Sequence, residues 1–437
     1  MTLTYEQARE RARRVYVFGL PLVVTYVTSL VGGYRGLCHR REFPDDTQHQ
    51  VVRMNMDTLY SVGFTQLAAT PYAAHLPRVD DRYWLFPIMD AYTEVVESIG
   101  TRTPLRAEGD YLLLYRDDPV PSGYEGHRVI RLANSLNSVL LRIETRGRQD
   151  YAYVNGLQDR FSLAPLHPER LGPVPAAGEP PARFVERVGP REFLGLLAGL
   201  VRDNPISDGR VLADFVDLGL GEDFSFDFDA LDDDVARGVS DGLSLGLAQV
   251  RSAASTDAGR RGVTRRGWTT ILSGVGRYGD DYLRRAATAY GGWGANIPED
   301  SVYVTTRTDV DGDPLDSSRA YRLHIDAGGF PHASHFWSVT LYDPLYPTPN
   351  PIGRYGVNSF DVEAGRVGLG PDGSLDLYLS RDAPRDEAEL RNWLPTPARG
   401  AEFMLALRIY SPDELTLAGE WDPPVVERVG QGAAAGR

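Results

Sequence analysis

A short segment carries the side-chain types that acid/base chemistry needs. Residues 51–64 read VVRMNMDTLYSVGF, and in an extended strand Arg53, Asn55 and Asp57 would share one face because successive side chains alternate. A carboxylate can accept a proton, and an arginine or a tyrosine such as Tyr60 can stabilise developing negative charge. The segment therefore predicts a candidate catalytic group centred on Asp57.

Geometry decides whether these side chains can act together. At about 3.3 Å per residue, Arg53 and Asp57 lie roughly 13 Å apart on a straight strand, which is too far to pair. The sequence Asn-Met-Asp-Thr is typical of a bend, because Asn and Asp side chains bond to their own backbone in turns. A functional site here predicts a bend from Asn55 to Thr58, which would let an arginine hold Asp57 ionised. The alternative is a straight strand with one wetted face.

Two glycine motifs lack the context that their chemistry requires. Residues 238–246 contain two overlapping G-x-S-x-G matches, around Ser240 and Ser244, inside a helical pattern, whereas a nucleophile elbow joins a strand to a helix. Residues 274–279 match G-x-G-x-x-G, but the strands that follow are joined by short turns with no room for crossover helices. Neither match predicts a nucleophile or a dinucleotide site.

A metal site is an alternative that the sequence leaves open. His332 and His335 are spaced H-x-x-H and could chelate a metal ion, although no third ligand lies nearby in the sequence. The aspartates of DVDGDPLD resemble a calcium loop, but Pro314 and Ala320 occupy the positions of its glycine and glutamate. The main prediction therefore includes no metal.

Composition removes several classes of function. The 437 residues are 42% hydrophobic and carry a net charge of −14, which argues against a nucleic-acid partner. All 46 basic residues are arginine, so no lysine can form a Schiff base or complete a P-loop. The single cysteine, Cys38, excludes a disulfide framework and an iron–sulfur cluster. We therefore expect an enzyme without an organic cofactor.

The apolar run from Val15 to Val31 is predicted to be a buried helix. A capping box formed by Thr4 and Gln7 places its start near Tyr5, and Pro21 interrupts the run. The residues after the run show no clear cleavage site, and a broken stretch of this length spans a bilayer poorly. The sequence therefore predicts neither a signal peptide nor a membrane partner.

Periodicity predicts an α+β fold that is predominantly antiparallel β. Residues 1–182 combine the N-terminal helix with a first β-rich domain whose short strands are bounded by turn residues, and the proline-rich stretch 171–182 ends it. Residues 183–267 have helical spacing, and this connecting segment is strongly acidic between 203 and 241. Residues 268–437 are predicted to form a second β-rich domain with a disordered tail after Val429. We expect two sandwich-like domains joined by helices.

Several stretches together resemble two bacterial families, the domains of unknown function numbered 1254 and 1214. The N-terminal resemblance rests on VVRMNMDTLYS, RYWLFPIMDAYTEVVESIGTRT and LLRIETRGRQDYAYVNGLQDRFSL. The C-terminal resemblance rests on HFWSVTLYD, NPIGRYGVN, DGSLDLYLS and NWLPTPARGAEFMLALRIYSP. The resemblance implies jelly-roll-like sandwiches and brings no assigned reaction. Because many relatives look like exported proteins with an added signal sequence, and this chain starts at the helix, we expect a cytoplasmic location.

The segments that carry the resemblance are rich in side chains that a fold does not require. We expect catalytic roles for Asp57, Tyr60, Arg53 and Asp90. We expect substrate-binding roles for Asn55, Tyr92, Trp337, Arg354, Tyr355, Asn392 and Trp393. A cleft between the domains is the ordinary place for such residues to meet.

The prediction is a cofactor-independent enzyme that acts on a small, largely apolar organic molecule by acid/base or electrostatic catalysis. Isomerisation, cyclisation, elimination and hydrolysis all fit such a site, and secondary metabolism is a reasonable setting. The alternatives are a non-catalytic binding or carrier protein and a metal-dependent enzyme that uses His332 and His335.

Overall fold

The structure, a computed structural model, describes residues 3–47, 53–173, 179–255, 262–343 and 345–429. Within these ranges the chain forms four sheets, mostly antiparallel, and a layer of helices. The predicted α+β architecture with sandwich-like β domains is confirmed. The tail predicted after Val429 lies outside the described residues, as does the middle of the predicted linker, residues 174–178.

Helices cluster at the N-terminus and between the two β-rich regions. Their bounds are α1 Tyr5–Gly32, α2 Pro104–Ala107, α3 Tyr151–Gln158, α4 Pro181–Arg187, α5 Pro190–Val201, α6 Gly209–Asp217, α7 Asp233–Ser255, α8 Tyr282–Gly292, α9 Ser359–Glu363, α10 Glu387–Arg391 and α11 Glu414–Ala418. The predicted capping box starts α1, because Thr4 Oγ1 accepts from the N–H of Gln7 and Gln7 Oε1 accepts from the N–H of Thr4.

Helix α1 forms the centre of the helical layer. The segment Tyr5–Val31 is long and apolar enough to cross a membrane, and 72% of its most apolar stretch is buried inside the protein. Its core contacts include Phe193 and Leu197 of α5 and Val239 of α7. The apolar run is therefore covered by other helices of the same chain.

A glycine stripe on α7 allows the closest helix contact. Gly238, Gly242 and Gly246 recur every four residues and so share one face of α7. A Cβ added to Gly242 would collide with the backbone carbonyl of Arg9, and one on Gly246 would meet the Tyr16 ring. These glycines, which produce the two G-x-S-x-G matches, are needed for the packing of α7 on α1.

The first β-rich region folds into two sheets around one core. Its strands are β1 Cys38–His39, β2 Thr58–Phe64, β3 Tyr72–Leu76, β4 Trp84–Met89, β5 Val95–Gly100, β6 Gly109–Tyr115, β7 Arg128–Leu132, β8 Ser138–Glu144 and β9 Ser162–Pro165. One sheet has the order β1-β2-β8-β4-β5 and the other β7-β6-β3-β9, with β6 and β7 parallel. Leu59, Trp84, Leu113 and Leu141 belong to their shared core.

The second β-rich region repeats this plan. Its strands are β10 Val263–Arg265, β11 Trp268–Thr270, β12 Ser301–Thr306, β13 Ala320–Ile325, β14 Ala333–Tyr342, β15 Gly356–Asn358, β16 Leu375–Ser380, β17 Trp393–Pro395, β18 Met404–Pro412 and β19 Val425–Val429. The sheet orders are β10-β11-β12-β18-β14-β15 and β17-β16-β13-β19. Val304, Leu323, Trp337, Leu377 and Leu407 belong to the core of this region.

The remaining faces of the two large sheets meet each other. Tyr83, just before β4, and Leu85, within β4, pack with Phe336, Phe360 and Tyr410 of the second region. The rings of Phe336 and Tyr410 stack with centroids 4.0 Å apart, and Tyr83 approaches Tyr410 edge-on at 5.3 Å. Polar side chains on these two faces are therefore enclosed between the domains.

The glycine stripe predicts a measurable difference between two Gly→Ala substitutions. Gly242→Ala should lower the free energy of unfolding by about 1–3 kcal/mol, because the added methyl group overpacks the contact with α1. Gly195→Ala on the exposed face of α5, where a Cβ meets no atom within 4 Å, should raise it by about 0.5–1 kcal/mol. Urea unfolding of both variants measures this, and equal effects would contradict the packing argument.

Candidate active site

The chain bends just before β2. Asn55 Oδ1 accepts hydrogen bonds from the backbone N–H groups of Asp57 (2.7 Å) and Thr58 (2.9 Å), the arrangement of an Asx turn. Residues 56 and 57 form the bend, and strand pairing starts at Thr58. The predicted bend is confirmed. The alternative, a straight strand that already includes Arg53, is wrong, because Arg53 has a left-handed backbone conformation with φ of 50°.

Asp57 is the buried carboxyl that the bend directs into the interface. Its Oδ2 accepts hydrogen bonds from Ser338 Oγ (2.7 Å) and Tyr410 Oη (3.0 Å). Asn55 Nδ2 donates to the same Tyr410 oxygen at 2.8 Å. One local turn residue therefore orients both the carboxyl and its tyrosine partner.

Burial dominates the electrostatics of this carboxyl. Asp57 is only 4% exposed, and desolvation raises its pKa. The charge of Arg408 and the hydrogen bonds from Ser338 and Tyr410 lower the pKa, but by less. Asp57 therefore keeps its proton at a higher pH than an ordinary aspartate, as a group that both gives and takes protons should.

The arginine that acts on Asp57 comes from β18. Arg408 is 3% exposed and donates to Thr340 Oγ1 (3.1 Å), to Tyr342 Oη (2.9 Å) and to the backbone carbonyl of Arg53 (3.3 Å). The sequence assigned the role of neighbouring cation to Arg53. In the structure that residue supplies the carbonyl that Arg408 binds, and Arg408 supplies the charge.

A cavity of about 310 Å³ opens onto Asp57 where the two β-rich regions meet. Apolar and aromatic side chains from both regions line it together with polar groups. The lining residues are Phe43, Pro44, Met56, Asp57, Thr145, Arg146, Gly147, Arg148, Gln149, Tyr151, Thr340, Gly353, Arg354, Tyr355, Gly356, Val357, Asn358, Asp361 and Arg366. This size and mixed lining suit a small organic molecule.

The cavity is positively charged although the protein is acidic. Four arginines and two aspartates line it, whereas the whole chain carries −14. Arg146, Arg148 and Arg366 are exposed and so stand near its mouth, while Asp57 is buried at its inner end. A small organic anion is the ligand that this distribution of charge would attract.

Two of these arginines form no ion pair within 4 Å among the described residues, although the charge of Arg148 lowers the pKa of Asp45. Arg146 and Arg366 each form an ion pair with a neighbouring acid. Arg354 instead donates to the backbone carbonyls of Arg391 (2.7 Å) and Trp393 (3.1 Å), and within those ranges no ion pair holds Arg148. Arg148 and Arg354 are therefore the cations best suited to bind an anionic group.

The sequence-predicted residues Asn55, Asp57, Arg354 and Tyr355 meet at or beside this cavity. Tyr60 does not line it. Tyr60 stands further along β2, where the guanidinium of Arg142 lies 5.1 Å from the centre of its ring.

Asp90 and Tyr92 lie elsewhere, where a loop meets the helical layer. Asp90 Oδ1 accepts from the backbone N–H groups of Tyr92 and Glu94, both at 2.9 Å. Burial raises the pKa of Asp90 to about 6. Tyr92 Oη donates to the carbonyl of Asn204 at 2.9 Å. Both side chains order a loop, and neither reaches the cavity beside Asp57.

Trp337, Asn392 and Trp393 also have structural surroundings. Trp337 points into the core of the second region, with its ring 5.8 Å from that of Phe330. Asn392 Nδ2 donates to the carbonyls of Gly368 (2.7 Å) and Asp376 (2.9 Å). Trp393 Nε1 donates to the carbonyl of Ser380 at 3.0 Å. These three side chains hold strands and loops together away from Asp57.

The two histidines of the metal alternative do not converge. His332 Nδ1 lies 3.0 Å from Asp413 Oδ2, whereas the ring of His335 packs 5.4 Å from that of Tyr83. Over the described ranges no group of three histidine, cysteine or acidic side chains is placed to hold a metal ion. The geometry therefore gives this alternative little support.

Sequence reasoning missed the partners of Asp57 on the second region. Ser338 and Thr340 alternate on β14 with the core residues Val339 and Leu341, and Arg408 alternates in the same way on β18. The available signal was a polar side chain at every second position of an otherwise apolar strand. This alternation predicts that the polar side chains of each strand share one face of the sheet. It does not predict which part of the protein packs against that face.

One of two similar solved structures shares this architecture. A crystal structure of the VPA0106 protein from Vibrio parahaemolyticus is similar over 97% of this chain and 100% of that one, with a TM-score of 0.66 and 21% sequence identity. A putative uncharacterized protein from Burkholderia cenocepacia covers 97% of this chain and 94% of its own, with a TM-score of 0.43 and 13% identity. No curated protein sequence matches significantly.

Two protein-family models match the chain. The model described as "Protein of unknown function (DUF1254)" matches residues 36–165, and the one described as "Protein of unknown function (DUF1214)" matches residues 300–414. The cavity draws residues from both matched regions, with Asp57 from the first and Tyr355 from the second. The two matches lie in the order that the sequence resemblance predicted, with DUF1254 in the N-terminal part and DUF1214 in the C-terminal part.

Proposed function

We propose that this protein is an enzyme that acts on a small, largely apolar organic anion by acid/base catalysis at Asp57, without an organic cofactor. The observation that carries the proposal is a buried carboxyl of raised pKa at the inner end of an arginine-lined cavity. The apolar part of the lining, which includes Phe43, Met56 and Val357, would contact the body of the substrate.

Each side chain then has a distinct role. In the described part of the chain both side-chain hydrogen bonds to Asp57 end on Oδ2, so Oδ1 is the oxygen that exchanges a proton with the substrate. Tyr410 and Ser338 hold the carboxyl in place, and Arg354 with Arg148 binds the anionic group. Proton transfer of this kind serves isomerisation, cyclisation, elimination and hydrolysis.

A non-catalytic binding protein is the second candidate. The hydrogen bonds to Asp57 also join the two β-rich regions, and a carrier would need the same rigid junction. Turnover separates the two candidates, because a carrier requires the cavity but no proton transfer.

The first prediction concerns Asp57→Asn, which keeps the shape of the side chain and removes its acid/base function. Carboxylic acids screened by mass spectrometry should yield a substrate whose turnover falls by about 10²–10⁴-fold in the variant. Calorimetry should show unchanged affinity for that substrate. Asp382→Asn on the exposed surface is the matched control and should retain activity. Full turnover by Asp57→Asn would contradict the proposal.

The second prediction concerns the pH dependence of stability. The folded-state pKa of Asp57 is raised, so the stabilisation from its protonated form is complete below the unfolded-state pKa and is lost as pH rises through the folded-state value. Asp57→Asn cannot titrate. The difference in unfolding free energy, wild type minus variant, should therefore decrease from acidic to neutral pH in urea titrations. A difference that grows with pH would mean that the carboxyl pKa is lowered instead.

The third prediction concerns the mouth of the cavity. Arg148→Gln should raise KM for an anionic substrate several-fold and leave kcat nearly unchanged, because the residue attracts the substrate but is remote from Asp57 chemistry. The effect should shrink at high ionic strength. Arg237→Gln on the exposed face of α7 is the control. A loss confined to kcat would assign Arg148 another role.

A further inference from the structure

Two arginines inside the domain interface lack a hydrogen-bonded carboxylate. Arg142 and Arg408 are 2% and 3% exposed. Arg142 donates to Asn296 Oδ1 and to the carbonyl of Gly294. The acceptors for Arg408 are Thr340, Tyr342 and a backbone carbonyl. All of these acceptors are neutral, and removing a guanidinium charge from water without an opposite charge is strongly unfavourable.

Two other arginines with little exposed surface each lie close to a carboxylate. Arg82 lies 2.6 Å from Asp150 and 3.8 Å from Glu144. Arg285, which is 4% exposed, lies 3.8 Å from Glu94. Arg82 and Arg285 therefore each have a carboxylate within 4 Å, whereas the hydrogen-bond acceptors of Arg142 and Arg408 are neutral.

Each of the two arginines stacks on a tyrosine of the neighbouring strand. Tyr60 is opposite Arg142 in the β2–β8 ladder, and Tyr303 is opposite Arg408 in the β12–β18 ladder. The distances from guanidinium carbon to ring centre are 5.1 and 5.7 Å. Each large sheet thus presents one arginine–tyrosine pair on the face that meets the other sheet.

The two pairs adjoin each other and retain unused hydrogen-bonding capacity. Asn296, which accepts a hydrogen bond from Arg142, donates through Nδ2 to Ser301 Oγ at 2.9 Å, and Ser301 lies two residues before Tyr303 on β12. Both tyrosines stay partly exposed although they lie between the sheets. The Nε atoms of Arg142 and Arg408 are buried and have no hydrogen-bond partner. Buried guanidinium donors beside tyrosine hydroxyl groups are groups that can bind an oxyanion.

The carboxyl of Asp57 does not balance the positive charges of Arg142 and Arg408. Asp57 acts on Arg408, but it holds its proton more readily than an ordinary aspartate, and it already accepts hydrogen bonds from Ser338 and Tyr410. An incoming anion would compensate both guanidinium groups at once.

We propose that the two arginine–tyrosine pairs, Arg142 with Tyr60 and Arg408 with Tyr303, form an internal binding site for the carboxylate of a small aromatic or aliphatic acid. The guanidinium groups supply charge, the two phenols supply hydrogen-bond donors, and their rings enclose the apolar part of the ligand. This site is distinct from the arginines at the mouth of the cavity and does not depend on catalysis at Asp57.

Benzoate binding tests the proposal without any need for a known substrate. Titration calorimetry in chloride-free buffer should show saturable binding of benzoate to the wild-type protein. The double variant Tyr60→Phe with Tyr303→Phe keeps both rings and removes both hydroxyl groups, so it should fold normally and bind about tenfold more weakly. Circular dichroism checks the fold.

A control variant separates the internal site from other arginine–tyrosine contacts. Tyr153→Phe is the matched control, because Tyr153 also stacks on an arginine, Arg82, whose charge Asp150 already neutralises. Its affinity for benzoate should equal that of the wild type. The proposal is overturned if wild-type protein shows no saturable binding. It is also overturned if the double tyrosine variant binds benzoate as tightly as the wild type.

Discussion

The carboxyl of Asp57 is the group on which the arrangement of this protein depends. It accepts hydrogen bonds from Ser338 and Tyr410, which are 281 and 353 positions away in the sequence, so it joins the two β-rich regions. A buried carboxyl without partners would destabilise the fold, and these donors exist only when β14 and β18 face the start of β2. The same contact positions the candidate proton-transfer group and closes the interface around it.

Charge is concentrated at this interface against the trend of the whole chain. Arginines line the cavity mouth, and Arg142 and Arg408 lie deeper, in a protein with a net charge of −14. The arginine near Asp57 opposes the effect of burial on its pKa but does not overcome it. Because the acidic residues of the helical segment are mostly exposed, their charges are screened by solvent, whereas the buried guanidinium charges act at short range. An organic anion is the ligand that fits both features.

Local chemistry made part of the candidate site predictable from sequence. Asn55 and Asp57 were found because their types and spacing require a bend, and the Asx turn at Asn55 forms that bend. The strands and the α1 capping box follow equally local patterns. Ser338 and Arg408 could be assigned to one face of their strands, but alternation does not say that this face meets Asp57. Trp337 was predicted to bind substrate from its residue type, but its ring is packed in the core of the second region.

Long-range partners decide which of several similar residues takes part in the site. Asp90 and Asp57 are both carboxyls whose pKa is raised mainly by loss of contact with solvent, so the direction of the pKa shift does not separate them. Asp90 accepts backbone hydrogen bonds from its own loop, while Asp57 accepts side-chain hydrogen bonds from the other β-rich region and opens onto the cavity. Tertiary contacts therefore distinguish Asp57 from Asp90, and a single sequence does not reveal which distant residues will be in contact.

The most direct measurement is a titration of the Asp57 carboxyl in the folded protein. Carbon-13 labelling of aspartate, with Asp57→Asn to assign the resonance, would report its pKa by NMR. We predict a value above the ordinary aspartate pKa of about 3.9, because burial outweighs the nearby positive charge. A value at or below that level would show that Arg408 and the two hydroxyl donors prevail. Asp57 would then be a fixed anion that joins the domains, and the proposed acid/base role would be contradicted.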